Sequence, residues 1–109
     1  MLPQFANAVS FDCNKAATET EKAICDHIEL GDLDLMLSKM WAEVKKTQSN
    51  IKKQRQWLRK RDLCESDIVC LENIYLKRLS ELIEKYSQAG RFVLLDGQAN
   101  KYKQVYFVS

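Results

Sequence analysis

Four cysteines, placed where helix ends are expected, constrain the fold of this chain more than any other feature. They are Cys13, Cys25, Cys64 and Cys70. Cys25 closes a short helical stretch, Cys64 ends a long one and Cys70 opens the next. Two pairs allow three connectivities. We favour Cys13 with Cys25 and Cys64 with Cys70, because each bridge then joins a helix end to a neighbouring loop. Such bridges are typical of exported proteins, so we expect a periplasmic or secreted location.

A zinc site is the rival interpretation of the cysteines. The spacings C-x11-C and C-x5-C lack the close C-x2-4-C pairs that tetrahedral thiolate sites usually show. Disulfides are also expected in a chain this short. A chain of 109 residues is one domain with a modest core, and each bridge would add about 2–3 kcal/mol by restricting the unfolded chain. We therefore expect no metal and no other cofactor.

The first nine residues resemble the end of a secretory signal. Ala6 and Ala8 form an A-x-A cleavage pattern, which would place the start of the mature chain near Val9. The alternative is an ordinary frayed N-terminus. No apolar run in the sequence is long enough to span a membrane.

The body of the chain has a helical pattern. Its single proline, Pro3, lies in the N-terminal tail, so no helix breaker of this kind follows. Thr18 and Glu21 form a capping box, which predicts a short helix that ends at about Cys25 or His27.

A long helix is predicted next, after a boundary or kink at Gly31 and Asp32. Aliphatic residues recur every seven positions. They are Leu30, Leu37, Val44, Ile51 and Leu58. Such a stripe stays on one face only if the helix is long, so we predict one helix from about Asp32 to Asp62. Asp32 and Asp34 would lie at its start, where carboxylates favour the helix dipole.

A second long helix follows Cys70, with a broad apolar face. Its residues are Leu71, Ile74, Tyr75, Leu79, Leu82, Ile83 and Tyr86. The short connection makes it antiparallel to the first, so residues 10–88 form an all-α antiparallel hairpin with the short helix across one end. Residues 89–109 have alternating apolar residues around a turn at 96–100, a pattern that predicts a β-hairpin extension. This hairpin either docks on the helices or belongs to a longer protein or a partner.

Basic residues dominate residues 45–61, where no Asp or Glu occurs. Six of them fall in two columns at seven-residue spacing, which we name the basic ridge. The first column is Lys45, Lys52 and Arg59, and the second is Lys46, Lys53 and Lys60. One interpretation is a solvated face, partly paired with carboxylates of the next helix. The other is a docking surface for an acidic partner.

Two further features each allow a structural interpretation and a binding interpretation. The loop from Cys64 to Cys70 offers Glu65, Ser66 and Asp67. Either it only turns the chain, with Ser66 or Asp67 as a helix cap, or it enters the cleft of a partner. Trp57 and Arg61 lie four residues apart on one helical face, where they either hold helices together or form a partner hot spot. Trp41 is expected in the core.

Other function classes are disfavoured. Export would separate the chain from nucleic acid, and no aromatic residues interleave the lysines as stacking platforms. An enzyme is not expected either, because His27 is the only histidine and no nucleophile or phosphate-loop motif is present.

A set of residues between Ser10 and Glu84 matches the pattern of a known family. These are Phe11, Asp12, Cys13, Lys15, Ala16, Glu21, Lys22, Ala23, Ile24, Cys25, Leu33, Asp34, Gln54, Arg55, Gln56, Trp57, Leu58, Arg61, Asp62, Cys64, Cys70, Leu71, Tyr75, Arg78 and Leu82. Together they resemble the LprI-type lysozyme-inhibitor-like family of bacteria. Trp41 departs from that pattern, since such proteins tend to carry a tyrosine there. Residues after Glu84 lie outside the resemblance.

The resemblance implies an exported helical domain whose named relative inhibits lysozyme. We therefore expect a binding protein that contacts a protein partner, with a lysozyme or another cell-wall hydrolase as the first candidate. Lysozymes are often basic, and this chain has a net charge of +2. Inhibition would thus need a local acidic loop, for which Glu65, Ser66 and Asp67 are the best candidates. The alternative is an envelope structural or stress-response factor whose basic ridge contacts lipopolysaccharide, anionic lipid or wall polymer.

Overall fold

The computed structural model describes residues 9–86, and in this range the chain is all-helical. A short 3-10 turn at Cys13–Lys15 precedes four α-helices. These are α1 (Glu19–Asp26), α2 (Ile28–Glu43), α3 (Gln48–Leu63) and α4 (Ile68–Tyr86). The predicted all-α class is confirmed. The A-x-A pattern at Ala6 and Ala8 and the predicted C-terminal β-hairpin lie outside the described residues.

Helix α1 begins and ends where the sequence predicts. The Thr18 hydroxyl oxygen accepts a hydrogen bond from the Glu21 N–H at 3.0 Å, and the Glu21 carboxylate accepts one from the Thr18 N–H at 3.1 Å. The same carboxylate accepts a bond from the Ala17 N–H at 2.8 Å. The backbone donors of Ala17 and Thr18 lower the pKa of Glu21, because they stabilise its charged form.

The boundary between α1 and α2 lies at His27 and not at Gly31, so the predicted boundary there is wrong. His27 has an extended backbone, and its Nδ1 atom lies 2.9 Å from the carbonyl oxygen of Ala23. Gly31 is buried inside α2, where its N–H donates to the His27 carbonyl at 2.9 Å. Because α2 begins at Ile28, Asp34 lies in its second turn and not at a helix start.

The single helix predicted from Asp32 to Asp62 is also wrong, because residues 44–47 separate α2 from α3. The seven-residue repeat therefore belongs to two helices. Burial falls along it: Leu30, Leu37 and Val44 are buried, Ile51 is half-buried and Leu58 is 36% exposed. The repeat does not form one seam.

Local capping ends α2 and begins α3 without glycine or proline. Val44 has an extended backbone, with φ −81° and ψ 134°. Lys46 Nζ donates to the carbonyls of Trp41 and Val44 at 2.6 Å each, so a cation closes the end of α2. Thr47 then caps α3, since its hydroxyl oxygen accepts a bond from the Asn50 N–H at 3.1 Å.

Helices α3 and α4 form the antiparallel hairpin that the sequence predicts. Only residues 64–67 separate them. Trp57 contacts Ile74, whereas Gln54, earlier in α3, contacts Arg78, later in α4. This opposite order of contacts shows that the two helices run antiparallel.

The core lies mainly between α2 and α4. Leu30 and Met40 of α2 are fully buried, as are Leu71, Tyr75 and Leu79 of α4. Of the apolar face predicted after Cys70, Leu82 and Ile83 are buried as well, and Ile74 is half-buried. Helix α3 adds one buried side chain, Trp57. Trp41 is half-buried at the edge of this core and not inside it. Val9, the last residue of the predicted tail, is buried.

Both favoured disulfides are confirmed. Cys13 bonds to Cys25 and Cys64 bonds to Cys70, with Cα–Cα distances of 5.8 and 5.6 Å. This pairing includes all four cysteines and leaves no thiolate for a zinc site. Two structural disulfides indicate an oxidising compartment, extracellular or periplasmic. Among residues 9–86, no helix combines the length and the apolar character needed to cross a membrane.

Candidate functional site

The turn between α3 and α4, residues 63–69, forms what we name the hairpin tip. The Cys64–Cys70 bridge closes it. The Asp67 N–H donates to the Cys64 carbonyl at 3.0 Å, and Asp67 Oδ1 accepts from the Cys70 N–H at 3.1 Å. Asp67 is thus the cap of α4, as one of the two interpretations predicts. Glu65 takes the left-handed conformation, with φ 52°, which reverses the chain direction.

Helix α1 stabilises the backbone of the hairpin tip. Thr20 is buried, and its hydroxyl donates to the Glu65 carbonyl at 2.9 Å, with a longer contact of 3.4 Å to the Asp62 carbonyl. This bond connects residues 45 positions apart in the sequence. The tip backbone is therefore fixed by the disulfide, by the cap of α4 and by α1.

Most side chains of the hairpin tip are exposed, whereas Cys64 is buried and Ile68 is half-buried. Leu63 is 82% exposed and Val69 is 65% exposed, the two most exposed large hydrophobic residues in the described range. Glu65 and Ser66 are exposed too, and Glu65 forms no ion pair with any residue from 9 to 86. The tip thus combines two exposed apolar side chains, one hydroxyl and two carboxylates, of which that of Asp67 caps α4.

Trp57 and Arg61 lie within the contact between α3 and α4. The Trp57 Nε1–H donates to the Ile74 carbonyl at 3.2 Å, and its ring meets the Tyr75 ring edge to face at 5.0 Å. The Arg61 guanidinium lies 6.0 Å from the Trp57 ring and pairs with Asp62 at 2.8 Å. These contacts join two helices and leave little of Trp57 for a partner, so the structural interpretation explains both residues.

A buried polar network, which the sequence analysis missed, connects three helices and the N-terminal segment. Asp34 is only 5% exposed. Its carboxylate accepts bonds from the Ser10 N–H at 2.7 Å, the Ser10 hydroxyl at 2.5 Å and the Tyr75 hydroxyl at 2.7 Å. Arg61 adds a longer bond of 3.4 Å to the Tyr75 hydroxyl. Burial, and then the adjacent Asp34, raise the pKa of Tyr75 far above its ordinary value.

One signal in the sequence could have revealed this network. Asp34 lies four residues after Leu30 and three before Leu37, which places it on the apolar face of α2. A carboxylate at such a position needs donors from other elements, because burial without them is costly. The pattern does not name those donors, Ser10 and Tyr75.

The basic ridge is divided by the break at residues 44–47. Lys46 leaves the second column, because its ammonium group lies 4.5 Å above the Trp41 ring and bonds to α2 carbonyls. Lys53 and Lys60 line a groove of about 520 Å³ between α3 and α4. Lys45, Lys52 and Arg59, the first column, are exposed outside that groove. The two columns therefore face different surroundings.

No metal centre is apparent in the described part of the chain, where no three His, Cys, Asp or Glu side chains form a group that could hold an ion. No family model, curated protein or solved structure matches the chain. The LprI-type resemblance thus stays a prediction from the residues alone.

Proposed function

We propose that this protein is an exported inhibitor of a lysozyme or another cell-wall hydrolase, which it blocks by inserting the hairpin tip into the substrate cleft. One observation carries the proposal. The tip holds Leu63, Val69 and the carboxylate of Glu65 in exposed positions on a backbone that a disulfide and α1 fix in place. Large apolar side chains that are exposed on a fixed turn can supply the apolar part of a contact surface.

Rigidity is what would make so small a contact effective. A loop that is ordered before binding loses little conformational entropy when the complex forms. Burial of Leu63 and Val69 would favour binding, since each large aliphatic side chain contributes about 1.5–3 kcal/mol when it is fully removed from water. Glu65 supplies a negative charge, which attracts a basic hydrolase. The net charge of +2 opposes that attraction, so the local carboxylate is essential to the proposal.

Two other observations support an envelope protein. The disulfides indicate an oxidising compartment, where cell-wall hydrolases act. The residues that resemble the LprI-type family include Cys64 and Cys70, whose bridge closes the tip, and Asp62, whose carbonyl lies 3.4 Å from the Thr20 hydroxyl. Periplasmic or secreted location and the family itself are parts of the proposal.

A second candidate function is binding to an anionic envelope surface through the basic face of α3. The observation that favours it is the exposure of Lys52, Arg55 and Arg59, together with Lys53 and Lys60. These cations form no ion pair with any residue between 9 and 86. A solvated face without a partner shows the same exposure, so binding must be measured.

The test of inhibition is lysis of purified cell wall by lysozymes of several types, with the oxidised protein added in rising amounts. We expect the rate to fall until the two proteins are equimolar. The variant L63S/E65Q/V69S should need at least about tenfold more protein for the same inhibition, because two apolar contacts and one charge are lost. Glu65→Gln keeps a side chain of equal size at the left-handed position.

The matched control is I28S/E29Q, which changes an exposed isoleucine and an exposed glutamate at the start of α2, outside residues 63–69. It should inhibit as the unchanged protein does. If every lysozyme and wall hydrolase runs at full rate beside excess folded protein, the proposed inhibition is wrong. Equal losses in both variants would show that the tip is not the contact.

A further inference from the structure

The groove between α3 and α4 is longer than one cavity. A second cavity of about 300 Å³ adjoins the one of about 520 Å³, and both are lined by Lys53, Arg78 and Glu81. The two cavities adjoin at these shared residues. Their linings extend from Cys70, beside the hairpin tip, to Trp41 at the end of α2.

The charge of this groove is predominantly positive. Lys53 and Lys60 stand on the α3 wall and Lys77 on the α4 wall, and all three are exposed. None of the three forms an ion pair with a residue in the range 9–86. Glu81, the one carboxylate along the groove, pairs with Arg78 at 3.5 Å. Three ammonium groups on two facing walls therefore have no ion-pair partner in the described part of the molecule.

The geometry points to an extended anion and not to a single small one. Lys53 and Lys60 are seven residues apart in one helix, which separates them by about 10 Å along its axis. Lys77 is on the opposite wall. A single phosphate would require these long side chains to converge on one point, whereas a chain with repeated charges matches their spacing along the groove. A flat bilayer would meet the outer cations Lys52, Arg55 and Arg59 instead.

The cations of the groove are compatible with phosphate. Lysine is a compact point charge and a common ligand of phosphate oxygens. The one arginine in the groove is already occupied, because Arg78 donates to Gln54 Oε1 at 2.9 and 3.1 Å and pairs with Glu81. In the cavity of about 520 Å³, Lys53, Lys60 and Lys77 are therefore the cations that form no ion pair within residues 9–86.

We propose that the α3–α4 groove binds a linear phosphate-bearing polymer through Lys53, Lys60 and Lys77. The inference deepens the second candidate function, since it names the ligand class and the face that would bind it. It is independent of hydrolase inhibition by the hairpin tip. Recognition by charge alone would also make the affinity strongly dependent on salt.

The test uses calorimetric titration of the oxidised protein with polyphosphate at several salt concentrations. The groove variant is K53Q/K60Q/K77Q, and its control is K52Q/R55Q/R59Q, which removes the same charge from the outer face. We expect the groove variant to bind about 10- to 100-fold more weakly and the control to change less than about threefold. The slope of log affinity against log salt should fall by about two to three in the groove variant.

Four outcomes would overturn the inference. Equal losses in both variants would show diffuse attraction. Tighter binding to anionic vesicles, with the larger loss in the outer variant, would leave the second candidate function standing with a different face. A polycarboxylate of equal charge that binds more tightly than polyphosphate would mean that the groove does not select phosphate. No binding to polyphosphate or vesicles would reject the inference and the second candidate function together.

Discussion

Asp34 and Tyr75 meet in the core although 41 residues separate them. The carboxylate accepts three hydrogen bonds, two of them from Ser10, so burial does not leave it without donors. The network ties the N-terminal segment to α2 and α4. At this scale the sequence predicts the side chains with local partners, such as Thr18 and Glu21. It does not predict Asp34–Tyr75, because the partners come together only when the helices pack.

Alkaline pH should destabilise the protein through Tyr75. Burial and Asp34 raise its pKa in the folded state, whereas an unfolded tyrosine ionises at about pH 10. A raised pKa gives stability that is complete below pH 10 and is lost as pH rises above it. The loss should approach about 1.4 kcal/mol per pH unit. Urea unfolding at pH 9 and pH 11 measures it.

The variant Tyr75→Phe is the control for this pH effect. It should lower stability at pH 7 by about 1–3 kcal/mol, because Asp34 loses one donor. Between pH 9 and pH 11 it should lose less stability than the unchanged protein, since the titrating hydroxyl is absent. Identical losses in the two proteins would mean that Tyr75 does not carry the alkaline sensitivity.

Helices with a local signal are predictable here, and the break between α2 and α3 is not. The capping box locates α1, and the apolar face after Cys70 locates α4. Residues 44–47 contain no glycine or proline, and the aliphatic repeat passes through them at Val44. The break depends on Thr47 as a cap and on Lys46, which bonds to carbonyls of the preceding helix. A lysine in a basic run gives no sign that it will do so.

Lys46 should therefore contribute to stability although its neighbour Lys45 does not. Lys46→Ala removes two bonds to carbonyl oxygens and the contact with the Trp41 ring. We expect a loss of about 0.5–1.5 kcal/mol, reduced by solvent exposure. Lys45→Ala removes the same charge and should stay within about 0.5 kcal/mol of the unchanged protein. Urea unfolding of both variants compares them, and equal stabilities would refute the role of Lys46.

For the whole molecule, the two disulfides give different parts of the fold their rigidity. Cys13–Cys25 attaches the N-terminal turn to α1, and Cys64–Cys70 closes the hairpin tip. Both were predictable, because each joins residues close in sequence at expected helix ends. The support of the tip by Thr20 was not, since it comes from α1, 45 residues away. Groove and tip are likewise products of packing, in which α3 and α4 place distant side chains together.

Removing each disulfide in turn should show which bridge contributes to stability alone and which also contributes to inhibition. The bridged residues are 12 and 6 positions apart, so each bridge should contribute about 2–3 kcal/mol through the unfolded chain. C13S/C25S and C64S/C70S should both unfold at lower urea concentration. Only C64S/C70S should lose inhibition of wall lysis, by about tenfold, because only its tip must become ordered on binding.

This comparison is informative because both variants keep every tip side chain that would contact the hydrolase. Circular dichroism must first show equal helix content at the assay temperature, so that loss of inhibition does not report unfolding. Lysis assays then compare the two variants with the unchanged protein. If C64S/C70S inhibits as well as C13S/C25S, the disulfide gives the tip no advantage in binding. The exposed groups Leu63, Glu65 and Val69 would then act without a preformed backbone.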